Sequence, residues 1–429
     1  MQGDKELGFW ISTALVVGNI IGMGIFMLPA SLAPYGYTAL AGWGITVAGM
    51  AVLARVFARL AREFPRADGP YVYIRENVGE APAFLAIWCY WVSLWVTNAA
   101  LAIGVVGYLT AAVPALQSVP AVVLALAMIW LFVGICLLGA RMGGGVQVLT
   151  TALKLVPMLA IIVLGVWVLL TQPGAYTRDP PTSLWTLKDL MAASTIALYA
   201  MLGIESATVP AGRVKDPERT IPRATLAGTF LTAAIYVAVS AIAISLLPQA
   251  QLAQSNAPFV DLLNRYVGAG IGQWLAVFVV VSGLGCLNGW TLLTGELTCS
   301  MATHGVMPRS LGRLNAHGAP AVALVVTAVL ASAMVLMNYS KSLVEGFTFL
   351  TLVVTAANLP LYFFAAVALA VYWRKGGRTA STDMLVLGVI GTLYSVFAFI
   401  GIGQEPFLWS LVLAAAGVPL YLWLKRRAH

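Results

Sequence analysis

The sequence predicts an all-α integral membrane protein with twelve transmembrane helices, and three observations lead there. Apolar residues make up 60% of the 429-residue chain and charged residues 9%, against about 45–50% and 25% in soluble globular domains. The apolar residues gather into stretches of about 20, the length that crosses the hydrocarbon core as a helix. Lys and Arg then fall on alternate connections. With both termini cytoplasmic, the inner segments hold Lys5, Arg55, Arg59, Arg62, Arg66, Arg75, Arg141, Arg213, Lys215, Arg219, Arg223, Arg309, Arg313, Arg374, Lys375, Arg378, Lys425, Arg426 and Arg427. The outer segments hold only Arg178, Lys188, Arg265 and Lys341. This bias fixes the orientation, because a miscounted span would scatter the basic loops over both sides. The net charge of +8 follows from topology and calls for no nucleic-acid partner.

The first span, 10–34, is interrupted at Gly18-Asn19-Ile20-Ile21-Gly22-Met23-Gly24. Breaking a membrane helix frees backbone N–H and C=O groups, which is tolerated where they line a cavity. Spans 41–63, 82–113 and 120–139 follow, the second of these carrying Asn98. The fifth span, 146–171, encloses Lys154 among apolar neighbours, and the sixth, 188–212, is broken at Gly203-Ile204-Glu205-Ser206. Spans 224–247, 270–302, 319–339, 344–373, 383–402 and 406–424 complete the set, with Trp290 in the middle of the eighth. Two broken spans in corresponding positions point to the substrate site of a secondary transporter.

Other function classes find little support. Cys89, Cys136, Cys286 and Cys299 all fall inside spans without a CxxC spacing, so neither a disulfide framework nor a zinc site is expected. His304, His317 and His429 lack ligand spacing, and no Ser/His/Asp or phosphate-loop arrangement is present. An enzyme, a metal and a cofactor are therefore not expected. The N-terminus, Met1 to Trp10, carries two acids and one lysine and does not read as a cleaved signal peptide. A channel or receptor would show a continuous polar pore face, whereas polar residues here cluster at the two breaks.

Several motifs in order resemble amino acid-polyamine-organocation transporters. These are NIIGMGIFMLP at 19–29, GIES at 203–206 and GRVKDPERTIP at 212–222. NGWTLL at 288–293 is similar to the eighth helix of the bacterial arginine/agmatine and putrescine/ornithine antiporters. The resemblance runs from about residue 8 to the C-terminus. It implies one transmembrane transporter domain over 1–429 built from two inverted five-helix repeats, about 10–171 and 188–373, with helices 1 and 6 broken and two further helices over 383–424. It also implies a multi-pass protein of a bacterial-type inner membrane, and it is compatible with a homodimer. The expected partners are an amino acid or amine substrate and the lipid bilayer.

The chemistry of the site follows from the substrate. An amino acid carries an ammonium and a carboxylate whose water must be replaced by fixed dipoles. The N–H groups around Gly22, Met23 and Gly24 are placed for the carboxylate, and carbonyls near Ile20 and Tyr199 for the ammonium. The family match puts Trp290 where a tryptophan stacks on the cationic end, Tyr199 at a gating tryptophan, Asn19 and Gly203 at the breaks, and Asn98 at a polar substrate contact. Met23 departs from the related antiporters, which carry a small hydroxyl residue there, and Val353 departs at another hydroxyl position. With Leu94 and Leu101, these argue for a neutral or smaller substrate. Glu205 matches a glutamate implicated in pH response and basic-substrate handling. Lys154 resembles the lysine that stands in for a sodium ion in sodium-independent members. Glu296, six residues beyond Trp290, reads as a pairing partner.

Each assignment has a plainer counterpart. Glycines also serve close helix packing, tryptophans and tyrosines interfacial belts, Asn98 a link between two helices, and Glu205 a brace for the broken helix. Lys154 has snorkelling to the surface as its plain alternative. The reading is a sodium-independent secondary transporter of amino acids or polyamines that exchanges substrates by alternating access. A proton-coupled neutral amino acid permease is the alternative.

Overall fold

The computed structural model describes residues 8–64, 69–139, 144–203, 217–376 and 381–428, and every regular element among them is helical. The first apolar stretch forms two helices, α1 (Phe9–Ile20) and α2 (Gly24–Leu32), parted at 21–23 where the sequence places its break. Next come α3 (Thr38–Glu63), the short α4 (Pro70–Asn77), the 33-residue α5 (Glu80–Ala112), α6 (Ala121–Leu137) and α7 (Gly144–Thr171). The sixth stretch begins as α9 (Leu187–Ala200), after a single turn, α8 (Ala175–Arg178), and is described as far as a turn at 201–203. Glu205 lies outside the described residues, as do Lys5, Arg66, Arg141, Arg213, Lys215, Arg378 and His429.

The second half continues as α10 (Pro217–Leu246), the short α11 (Gln249–Gln254) and α12 (Pro258–Tyr266), then α13 (Ile271–Thr303), α14 (Ala321–Met337), α15 (Leu343–Arg374) and α16 (Thr382–Gly401). The expected final span at 406–424 is two helices, α17 (Gln404–Ala415) and α18 (Gly417–Ala428). Trp88 of α5 explains this interruption. Its indole N–H donates to the Leu413 carbonyl at 2.9 Å, the group that residue 417 would bind in a continuous helix. A Cβ on Gly417 would stand 2.7 Å from the Trp88 ring, so only glycine lets the two approach.

Seven of the described helices, and α17–α18 taken together, are long and apolar enough to cross a membrane. Their outer faces say the same. On α7, Leu159, Val163, Val166 and Leu170 form an exposed apolar stripe, Leu170 at 77% exposure, while Met158, Ile161 and Val168 on the opposite face are fully buried. Water would not tolerate such stripes, and hydrocarbon does. The chain is a multi-pass membrane protein.

The helices are layered around α5, which is buried on nearly all sides, whereas the terminal α17–α18 segment is almost wholly peripheral. α15 and α13 pack along α5, α3 packs on α9, and α1 on α10. Helix α2 is fully buried and is tied to α5 by the Tyr108 hydroxyl, which donates to the Phe26 carbonyl at 2.8 Å. The second half of the first broken helix is therefore surrounded by protein, an environment in which open backbone is tolerated at membrane depth.

Candidate functional site

Where α1 stops, its last carbonyls have no following turn to bind them and need partners from elsewhere. The Val17 carbonyl accepts from the Ile21 N–H at 2.9 Å. The Gly18 carbonyl accepts from the Lys154 ammonium at 3.2 Å, and the Ile20 carbonyl from the Tyr236 hydroxyl at 3.2 Å. The Cys286 thiol reaches the Ile21 carbonyl at 3.8 Å. Lys154, Tyr236 and Cys286 stand on α7, α10 and α13, so the break is gripped from three helices. Across the gap, α2 begins at Gly24 with N–H groups that have no intrahelical acceptor. Their aligned dipoles give this end a partial positive charge, suited to a carboxylate.

A cavity of about 40 Å³ opens at this gap. Ile20, Gly22, Met23, Gly24 and Ile25 form one side. Tyr199, Ala200 and Leu202 of the sixth stretch, Trp290 of α13 and Tyr236 of α10 form another. Tyr90, Leu94, Thr97 and Leu101 of α5, with Val354 and Asn358 of α15, close it. Its volume suits one or two water molecules, against about 300–1,000 Å³ for a typical small-molecule pocket. Admitting an amino acid therefore requires its walls to move.

The glycines of the break have different duties. A Cβ on Gly24 would lie 2.8 Å from the Tyr199 ring, so this glycine lets the ring lie against the backbone. The same ring meets Phe347 edge-on, with centroids 6.1 Å apart, which sets its tilt. A Cβ on Gly22 would meet nothing within 4 Å, so packing does not account for it. Gly203 has φ of +101°, a conformation that favours glycine. Met23 is completely buried. A Cβ on Gly104 would lie 3.0 Å from its Cγ, and one on Gly283 would lie 3.0 Å from its sulfur. Glycines on α5 and α13 thus make the slot that receives the thioether.

Residues 7–420 match the amino acid permease family. The chain belongs to that family. A Bacillus subtilis (strain 168) protein with the provisional name arginine/ornithine antiporter is 31% identical, over 93% of this chain and 92% of its own. The cadaverine/lysine antiporter of Escherichia coli K12 is 29% identical, over 94% of this chain and 91% of its own. A putrescine transporter of Haemophilus influenzae is 29% identical, over 97% of both chains.

In this permease, the residues expected at the site divide into three groups. Ile20, Gly22, Met23, Gly24, Tyr199 and Trp290 meet at the cavity, with Leu94 and Leu101. The Ile20 carbonyl already holds the Tyr236 hydroxyl and the Tyr199 carbonyl the Leu202 N–H at 3.2 Å, so an ammonium would use the second lone pair of each. Asn98 and Lys154 stand back from the cavity wall. Asn98 donates to the Thr294 hydroxyl at 3.3 Å, and Thr294 donates in turn to the Trp290 carbonyl at 2.7 Å, so the amide braces the turn that presents Trp290. Lys154 is 4% exposed and turned inward, which excludes snorkelling. Asn19 lies in the last turn of α1, with its side chain outside the described residues, and Gly203 lies in the turn beyond α9.

One expectation shifts. Val353 does not line the cavity; its neighbour Val354 does, about 100° further round α15. Glu296 is exposed and lies off the cavity. The sequence reading missed Tyr236, Thr97, Tyr90 and Asn358. For Asn358 a signal existed, a polar residue at the centre of the tenth apolar stretch, two before Pro360. Among the described lining residues none carries a charge.

Proposed function

We propose that this permease is a sodium-independent exchanger of a basic amino acid for the corresponding amine or another amino acid, working by alternating access. The observation that carries the reading is the cavity at the α1–α2 break, faced by Tyr199 and Trp290 and bounded by open helix ends of both polarities. The half-helix N-terminus suits the carboxylate, and the Trp290 face suits a cation. The names of the relatives, arginine/ornithine, cadaverine/lysine and putrescine, point to the same substrate class. Sodium independence draws support from Lys154, whose ammonium occupies the Gly18 carbonyl at the break. A fixed cation there takes the oxygen that a mobile cation would otherwise coordinate.

The twelve-span arrangement in two inverted repeats, 10–171 and 188–373, with both termini on the cytoplasmic side of an inner membrane, belongs to the same proposal. Each of the twelve stretches coincides with a helix, a broken helix or the start of one. A proton-coupled neutral permease is the second reading. The apolar lining of Leu94, Leu101, Val354 and Met23 favours it.

Proteoliposomes loaded with unlabelled cadaverine, putrescine, agmatine or a neutral amino acid separate the two. Uptake of labelled lysine, ornithine or arginine that depends on internal substrate and persists with choline in place of sodium supports exchange. Uptake of neutral amino acids alone, driven by an imposed pH gradient into empty vesicles, supports the second reading.

A further inference from the structure

Asn358 projects from α15 into the cavity wall and is 4% exposed. Its amide nitrogen donates to the Val354 carbonyl one turn back at 3.3 Å, and its Oδ1 has no hydrogen-bond partner among the described residues. A backbone carbonyl can only accept, so the amide nitrogen must face Val354 and the oxygen must face the other way. That fixes an orientation which otherwise is a matter of assignment. A buried acceptor without a donor costs free energy that a partner would recover.

The other polar groups of the wall are placed differently. The Thr97 hydroxyl gives its proton to the Ser93 carbonyl at 2.7 Å, and Tyr236 gives its proton to Ile20. Both retain only acceptor capacity. The described lining carries no carboxylate. The cavity wall thus carries, besides the Tyr90 and Tyr199 hydroxyls, the Trp290 indole and the N–H groups at the start of α2, three oxygens able to accept, on Thr97, Tyr236 and Asn358, and oxygen acceptors are what an alkylammonium requires once stripped of water.

We propose that the Asn358 Oδ1 is a substrate-binding acceptor that receives a hydrogen bond from the primary ammonium of the transported amino acid or diamine. This rests on the exchanger reading and adds to it a recognition group on α15. Pro360 makes the position plausible as a moving one. It lacks an N–H, so the Ala356 carbonyl has no helical donor and the ladder of α15 is open beside Asn358.

The test is ligand-induced thermal stabilisation of the purified full-length protein with putrescine, ornithine and alanine as probes. Asn358→Leu removes the acceptor at similar volume. The expected result is a melting temperature without ligand equal to or above that of the wild type, and half-saturation by putrescine and ornithine raised at least tenfold. Asn358→Asp keeps an acceptor and should bind putrescine no more weakly than wild type. If the leucine variant does not fold, Asn358→Ala supplies the same comparison without added bulk. Wild-type half-saturation in the variant lacking the amide overturns the inference while leaving the exchanger reading intact. Absence of stabilisation of the wild type by any of the three probes overturns both.

Discussion

The ammonium of Lys154 on α7 stands 3.2 Å from the carbonyl oxygen of Gly18, two residues before α1 ends. A cation at this spot offsets the partial negative charge of the helix C-terminus. It also joins α7 to the element that lines the cavity, so any movement of α1 must carry or break this contact.

The first prediction concerns that contact. Lys154→Ala should lose most exchange, while wild-type exchange in liposomes is unchanged when choline replaces sodium. Strict dependence of the wild type on sodium would refute the role given to Lys154.

Glycine substitutions separate packing from substrate space. Gly24→Ala drives a methyl to within 2.8 Å of the Tyr199 ring and should destabilise by about 1–3 kcal/mol, as overpacking does. Gly22→Ala meets no atom within 4 Å, so stability should hold while substrate affinity falls because the methyl enters the cavity. Thermal melts with and without ligand read both effects. Equal destabilisation by the two substitutions would make both glycines structural.

Trp290 lines the cavity. If a cationic head stacks on it, Trp290→Ala weakens binding of ornithine or putrescine by about 1–2 kcal/mol and leaves neutral amino acids less affected. Competition against a labelled ligand measures this. A loss of the same size for alanine and ornithine would assign Trp290 to packing.

Glu205 lies outside the described residues, and its role rests on the sequence. A carboxylate inside a membrane span is a functional candidate because keeping it there is costly. Glu205→Gln should flatten the pH dependence of exchange while the protein still reaches the membrane. An unchanged pH profile and rate would leave Glu205 as a brace for the broken helix.

The sequence by itself determined the class and the place of the first helix break. Hydropathy marked the helices because a span must be apolar over a fixed length, and the glycine run at 22–24 marked the first break because only an interrupted helix leaves backbone groups open. Lys154 was legible as inward-facing, since a charge amid apolar neighbours needs a polar partner, here Gly18. The tertiary structure alone decided which residues meet. α5 is buried nearly all round, so no polar face revealed that Thr97 lines the cavity beside Leu94 and Leu101 while Asn98 turns to Thr294. One residue along a helix is about 100° of rotation, which separates Val354 from Val353 and is set by packing against neighbours rather than by local sequence. For the same reason the slot made for Met23 by Gly104 and Gly283, and the unpaired oxygen of Asn358, exist only once α2, α5, α13 and α15 have come together.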